Sequence, residues 1–195
     1  YKRQVYRSDD AGRSWSNIGL KKSRTISNIV VHPKDHNILL VGVQGDQYKP
    51  SSDRGLYHSS DGGKNWKKVL YINETTGISG LTMDRNNPRI IYASTWDHLR
   101  KPWQMRSGGK GSGVYKSIDG GKSWENVLFV NDLSGAAELS MDYNDPKVLY
   151  AAMWHHQRLP WKVISGGEGS GLYKSVLCTC KRAISSNIFW KSNHS

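Results

Sequence analysis

Short runs of apolar and β-branched residues, separated by turn-forming residues, dominate the hydrophobic pattern of the chain. In its clearest part, strand-like runs cover 67–72, 78–84, 89–96 and 113–117. The segments 73–77 and 85–88 between them are rich in Asn, Gly and Pro. Short runs bounded by such residues are typical of β-strands joined by turns. The pattern therefore predicts an all-β protein.

The same four-strand unit recurs along the chain. A shift of 58 residues aligns 83–117 with 141–175, and 20 of these 35 positions are identical. By this spacing, two strands are expected in 5–20, four in 26–72, four in 78–130 and three in 136–175. Four short strands in each repeat indicate one β-propeller blade per repeat.

An eight-residue motif, S-x-D-x-G-x-x-W, occurs three times at intervals of 51 and 58 residues. Its fixed positions are Ser8, Asp10, Gly12 and Trp15, then Ser59, Asp61, Gly63 and Trp66, then Ser117, Asp119, Gly121 and Trp124. The Asp carboxylate can accept backbone N–H groups, Gly permits positive φ, and Trp anchors the turn to a core. The motif resembles the Asp-box, or BNR, repeat of β-propellers. That resemblance implies a structural turn on the rim opposite the ligand face.

The number of repeats is too small for a closed ring, because propellers have four or more blades. We therefore expect 1–175 to be an arc of a larger propeller of about 7–10 blades, or to complete a ring by self-association. The motif fails after Ser175, where Leu177, Thr179 and Arg182 replace Asp, Gly and Trp. Residues 176–195 are therefore expected to be a divergent tail or an incomplete last strand.

The chain is strongly basic, with 28 Lys and Arg against 16 Asp and Glu and a net charge of +12. Such a charge favours anionic partners in general. No run of five or six like charges occurs, so a solvated basic surface is favoured over a nucleic-acid site. No run of 18 apolar residues is present to span a membrane. No motif indicates a cofactor or a metal, and Cys178 and Cys180 are expected to be free thiols.

Two long loops share the pattern W-x-H-x-R-x-P-W. Its fixed residues include Trp96, His98, Arg100 and Trp103 in one loop and Trp154, His156, Arg158 and Trp161 in the other. The Trp rings could stack on sugar rings or peptide side chains while Arg binds carboxylate, sulfate or carbonyl groups. Equally, the Trp pair could clamp each loop to its blade with Arg stacked on it. Both interpretations stay open, whereas metal binding by the histidines is disfavoured because no carboxylate recurs beside them.

Glycosidase chemistry would require two carboxylates roughly 5 to 10 Å apart. Among the loop acids, Asp53 and Asp97 are the candidates for this role, although no motif pairs them.

The runs at 29–33, 54–57 and 141–146 resemble those of large secreted BNR-repeat proteins termed glycosyl hydrolases, whose propeller is similar to the sortilin/Vps10 domain. The resemblance covers about 1–175. It implies a propeller that binds a peptide, protein or glycan, in a secreted, periplasmic or lumenal location. The alternative is hydrolysis of a polysaccharide, as in xyloglucanase-like propellers, although their opposed Asp residues have no matching positions in this chain.

Overall fold

The computed structural model describes residues 4–176 and the short strand at 187–188. Within these residues the chain forms β-strands joined by turns and loops, without an α-helix. None of the described segments is a helix long and apolar enough to cross a membrane. The all-β prediction is confirmed. Leu177, Cys178, Thr179, Cys180 and Arg182, on which expectations about the tail rested, lie outside the described residues.

Three antiparallel four-stranded sheets follow a two-stranded pair, and we call the sheets the first, second and third blades. The pair, termed the half-blade, consists of β1 (Tyr6–Arg7) and β2 (Ser16–Asn17). The first blade consists of β3 (Ile26–His32), β4 (Asp35–Val43), β5 (Gly55–Ser59) and β6 (Lys67–Leu70).

The second blade is ordered β7 (Thr76–Met83), β8 (Ile91–Arg100), β10 (Gly113–Ser117) and β11 (Glu125–Leu128). The third is ordered β12 (Ser134–Met141), β13 (Val148–Leu159), β15 (Gly171–Val176) and β16 (Asn187–Ile188). Two more strands, β9 (Met105–Ser107) and β14 (Lys162–Ser165), lie within the long loops. The tail thus contributes β16, which pairs with β15 as a fourth strand.

Apolar side chains between successive blades form the core. Leu40 and Leu56 of the first blade pack with Leu81 and Ile91 of the second. A second cluster joins the second and third blades, and a third joins the half-blade to the first blade through Val5. Because each strand alternates its side chains between two faces, one blade can contribute to the clusters on both sides. This stacking confirms the predicted propeller arc.

Each described Asp-box motif forms a hydrogen-bonded turn between the third and fourth strands. In the second copy, the Ser59 hydroxyl donates to Asp61 Oδ1 at 2.8 Å and accepts the amide of Gly63 at 2.9 Å. Asp61 also accepts the backbone and side-chain N–H groups of Asn65 at 2.9 and 2.7 Å. Corresponding bonds form in the other two copies.

The Asp-box turns lie at the same end of the molecule as the turns that join the first and second strands of the blades. The amide of Gly62 donates to the carbonyl of Asn37 at 2.9 Å, and that of Gly120 donates to Arg89 at 3.0 Å. The long loops leave the second strands at the opposite end. The Asp-box turns that lock the blades therefore lie at one end of the molecule. The long loops that can contact a ligand lie at the other end.

Candidate functional site

The two long loops fold into one small sheet, which we call the hairpin sheet. It contains the end of β8, then β9, the end of β13 and β14. Its register places Arg100 opposite Met105, Met105 opposite Arg158, and Arg158 opposite Val163. These four side chains form one row across two blades. Sequence reasoning found the two arginines but not Met105, whose position depends on pairing between distant strands.

The hairpin sheet is anchored on the loop that joins the first blade to the second and on the long loop within the first blade. The amide of His98 donates to the carbonyl of Thr75 at 3.2 Å, and the amide of Arg100 donates to Gln47 at 2.7 Å. In the third blade, Asn131 Nδ2 donates to the carbonyl of Glu168 at 3.1 Å. The long loops and the loops that join one blade to the next therefore meet at one end of the arc.

The inner residues of the two W-x-H-x-R-x-P-W motifs form a row of rings between the blades. The ring centroids are 5.1 Å apart for His98 and Trp96, 5.9 Å for Trp96 and Trp154, and 4.3 Å for Trp154 and His156. Trp96 Nε1 donates to the Ser107 hydroxyl at 2.7 Å. These contacts support the clamp interpretation for the inner four residues.

The outer residues of the same motifs face solvent. Trp103 is 63% exposed and Trp161 is 81% exposed, both at the tips of the hairpins. Arg100 is exposed, whereas Arg158 is half-buried and its Nη2 donates one long hydrogen bond of 3.4 Å to the carbonyl of Pro102. Across residues 4–176, the cation–π contacts involve tyrosine rings, so the predicted stacking of these arginines on tryptophan is not found. The outer four residues are available to a ligand.

Burial controls the charge of the inner histidines. It lowers the pKa of His98 to about 4, with further lowering by the nearby Arg54, Arg100 and His156. Burial also lowers the pKa of His156. Both imidazoles are therefore neutral at neutral pH. Among the described residues, no group of three His, Cys, Asp or Glu side chains is placed to hold a metal ion.

Arg54, a fully buried arginine that the sequence analysis did not identify, supports the hairpin sheet through hydrogen bonds to backbone carbonyls. Arg54 Nη1 donates to the carbonyl of Gln44 at 2.7 Å, and Nη2 donates to the carbonyls of Asp46 and His98. The repeat offered a signal, because the other two blades have Ser112 or Ser170 at this position. Those hydroxyls accept the amides of Asp97 and His155, both at 2.9 Å. Arg54 thus replaces a local contact with one that reaches the next blade.

The two candidate catalytic acids are placed differently. Both carboxylate oxygens of Asp97 are engaged, by Arg106 Nη2 at 2.9 Å and by the Thr75 hydroxyl at 2.9 Å. Asp53 lies in a turn where its amide donates to the Ser51 hydroxyl at 3.2 Å.

A cleft of about 340 Å³ lies between the second and third blades, and it includes Asp97 but not Asp53. A different carboxylate, Asp132, lines this cleft together with Asp97, Arg106 and His155. The structure therefore brings Asp97 to the same cleft as Asp132 rather than Asp53.

Comparison with known proteins supports the fold and identifies relatives. Residues 3–128 match the family model Sortilin-Vps10, described as sortilin, neurotensin receptor 3. The chain is similar to the photosystem II assembly lipoprotein Ycf48 of Synechococcus sp. (strain CC9902), with 28% identity over 171 residues, covering 83% of this chain and 43% of that protein.

Two solved structures have the same fold. One is the GH74 xyloglucanase from Xanthomonas campestris, with a TM-score of 0.59, 20% identity, and coverage of 90% of this chain and 25% of that one. The other is an ancestral GH74 enzyme, with a TM-score of 0.57, 19% identity, and coverage of 80% and 20%. The chain thus spans less than half of the length of each of these relatives.

Proposed function

The chain belongs to the Sortilin-Vps10 family, and from this premise we propose that it is a ligand-binding segment of a β-propeller. Its ligand is an acidic stretch of a peptide or protein, and its binding surface is the exposed part of the hairpin sheet. The relative named as a photosystem II assembly lipoprotein supports a protein partner, since assembly requires contact between proteins.

The row of Arg100, Met105 and Arg158 carries this proposal. Adjacent strands lie about 4.8 Å apart, so two residues separated by one intervening strand are about 10 Å apart. Two guanidinium groups at this spacing can each bind a separate carboxylate, in a bidentate manner that Lys does not reproduce. Met105 between them offers a flexible apolar contact.

The surroundings of this row favour an acidic partner. Trp103 and Trp161 at the hairpin tips provide large apolar faces that can cover the ligand backbone. Basic side chains in the same loops are Lys101, Arg106, Lys110 and Lys162. Arg106 is paired with Asp97 at 2.9 Å, so Lys101, Lys110 and Lys162 are the basic groups of these loops that add to the charge of the two arginines. The surface is thus positive where a ligand would approach.

Binding of a fluorescent hexaglutamate peptide tests the proposal. Replacing both arginines, Arg100→Ala with Arg158→Ala, should weaken the affinity at least about tenfold, which corresponds to 1.4 kcal/mol. The double change Arg100→Lys with Arg158→Lys should restore only part of it, because the bidentate geometry is lost. Trp103→Ala with Trp161→Ala should also weaken binding.

The matched control removes the same net charge at the other end of the molecule. Arg13 and Lys122 are exposed residues of Asp-box turns, so Arg13→Ala with Lys122→Ala should leave the affinity nearly unchanged. Equal losses in the two double variants would mean that binding depends only on net charge. That result would refute a site on the hairpin sheet.

A second candidate is a glycoside hydrolase that acts on a polysaccharide. The observation that favours it is the shared cleft of Asp97 and Asp132, since two carboxylates flanking one cleft are the basic requirement of glycosidases. The engagement of Asp97 by Arg106 opposes it, because a general acid needs a proton at working pH. Turnover of β-glucans by the protein, abolished by Asp132→Asn, would favour this function over binding alone.

We further propose that the protein acts outside the cytoplasm. The support is its similarity to a protein named as a lipoprotein. Fractionation of cells that produce the full-length protein, with protease added to intact cells or organelles, tests the location. Recovery of the protein in the same fraction as cytosolic markers, together with its protection from the added protease, would contradict this location.

A further inference from the structure

The two faces of the hairpin sheet differ in how closely the two loop copies agree. On β8 and β13 the copies share Trp, His and Arg at alternate positions. The positions between these differ, since Asp97 corresponds to His155 and Leu99 corresponds to Gln157. Neighbouring residues along a strand lie on opposite faces of a sheet. The differing residues therefore share the face that is turned away from the row of rings.

This differing face lines the cleft between the second and third blades. One wall of the cleft contains Asp97, Arg106 and Lys110, and the other contains His155 and Gln157. Both walls belong to blades whose strands lie within the described residues, so the cleft is enclosed by the chain itself. The two walls offer different chemistry, charged groups on one and neutral polar groups on the other.

The cationic groups of the cleft are specific to one loop copy. Arg106 corresponds to Ile164 in the third blade, and Lys110 corresponds to Glu168, although 20 of the 35 aligned positions are identical. Exposed loop positions vary freely, but Asp97, which differs together with them, is only 7% exposed. The difference between the copies is thus not confined to solvated surface, and it places two positive side chains in one cleft.

Arg106 is held in place for binding. Its Nη2 donates to Asp97 Oδ1 at 2.9 Å, and the Thr75 hydroxyl donates to Oδ2 of the same carboxylate at 2.9 Å. Of its side chain 49% is exposed, so further N–H groups of the five in the guanidinium are accessible to a ligand. An added Cβ at Gly109 would come 2.7 Å from Asp97 Oδ2. The glycine-rich return therefore passes directly beside this ion pair and brings the exposed Lys110 next to it.

The rest of the cleft combines hydrogen-bonding groups with one apolar surface. Asp132 is an exposed carboxylate, and Gln157 and His155 supply an amide and an imidazole. Leu133 is 53% exposed beside them. A ligand with one anionic group, several hydroxyls and an apolar C–H surface fits this set. A polyacidic peptide fits it less well, because its charges would approach Asp132.

We propose that this cleft binds an acidic saccharide, with a uronic acid carboxylate on Arg106 and Lys110. The sugar hydroxyls bind Asp132, Gln157 and His155, and the ring lies against Leu133. The volume of about 340 Å³ falls within the range of about 300–1,000 Å³ for small-molecule sites, which suits about one or two sugar rings. This site is separate from the arginine row of the hairpin sheet, and binding at it involves no covalent step.

Titration calorimetry with trigalacturonate and with its carboxyl-reduced, neutral form tests the proposal. We expect the acidic form to bind at least about tenfold more tightly, because a charge-assisted contact to Arg106 and Lys110 is lost in the neutral form. The variant Asp97→His with Arg106→Ile and Lys110→Glu gives this loop the residues of the other copy. It should weaken binding of trigalacturonate at least about tenfold.

The matched control is Arg13→Ala with Lys122→Ala, which removes the same two units of positive charge at the Asp-box end and should leave the affinity nearly unchanged. If the triple variant does not fold, Lys110→Glu alone, at an exposed position, should still weaken binding about threefold or more. Equal affinity for the acidic and neutral trisaccharides, or equal losses in the variant and the control, would overturn the proposal. Displacement of bound trigalacturonate by hexaglutamate would assign the cleft to the acidic peptide and likewise refute it.

Discussion

The Asp-box carboxylates show how one residue fixes a turn through its charge. The backbone and side-chain N–H groups of Asn65 and the Ser59 hydroxyl lower the pKa of Asp61 from 3.8 to about 2. Asp10 has a pKa of about 2 for the same reasons, with Ser14 as its main donor. A depressed pKa in the folded state means that the ionised form stabilises the fold. This stability is present above pH 3.8 and is lost as the pH falls towards 2.

We therefore expect Tm to fall between pH 4 and pH 2, and Asp61→Asn to reduce that fall while lowering Tm at pH 7. Thermal melts of both proteins across this range measure the difference. Asp132→Asn is the control, because Asp132 is an exposed carboxylate outside the Asp-box turns. A variant whose Tm remains parallel to that of the parent at every pH would show that Asp61 does not contribute through its charge.

Arg54 is the residue with the largest expected effect on stability. Its guanidinium is fully buried, donates to three carbonyl groups, and lies near the carboxylates of Asp46 and Asp97. Arg54→Ala leaves those groups without a partner and should cost about 3–5 kcal/mol of unfolding free energy. Arg54→Lys should recover little, since an ammonium cannot reach three acceptors in a plane. Urea unfolding measures both, and a full recovery with Lys would refute this role.

At the scale of elements, the hairpin sheet joins two blades through contacts that are distant in sequence. The ring of Trp96 on β8 lies directly against Gly135 on β12, where an added Cβ would come 2.0 Å from the indole. Gly135→Ala should therefore displace the hairpin and cost about 1–3 kcal/mol. The double variant Gly135→Ala with Trp96→Leu should lose less unfolding free energy than the sum of the two single variants, because the smaller side chain removes the clash. Strict additivity in urea unfolding would show that the two residues do not interact.

The elements also show what the sequence alone could predict. The repeat, its four strands and the Asp-box turns follow from local patterns, because each turn is closed by residues within a few positions of one another. The division of the W-x-H-x-R-x-P-W residues into an inner set packed between the blades and an outer set closer to solvent does not follow. It depends on the pairing of β9 with β13, at Met105 and Arg158, which are 53 positions apart in sequence. Arg54 was missed for the same reason, since its partner His98 belongs to the next blade.

On the scale of the whole molecule, an arc of stacked blades should unfold from its ends. The second blade is covered on both faces by apolar clusters, whereas the half-blade contributes only two short strands. In a linear array, the stability of each unit depends mainly on its two neighbours. Native-state hydrogen exchange should therefore be slowest in β7, β8 and β10 and fastest in β1 and β2.

Two equivalent core substitutions test this dependence on neighbours. Leu81→Ala weakens the cluster between the first and second blades, and Leu139→Ala weakens the cluster between the second and third. Each should cost about 2–4 kcal/mol, since both leucines are buried and leave a cavity. Leu81→Ala should speed exchange chiefly in β3–β6, and Leu139→Ala chiefly in β12–β15. If instead both variants speed exchange equally in all blades, the arc unfolds as a single cooperative unit, and the ends are no weaker than the middle.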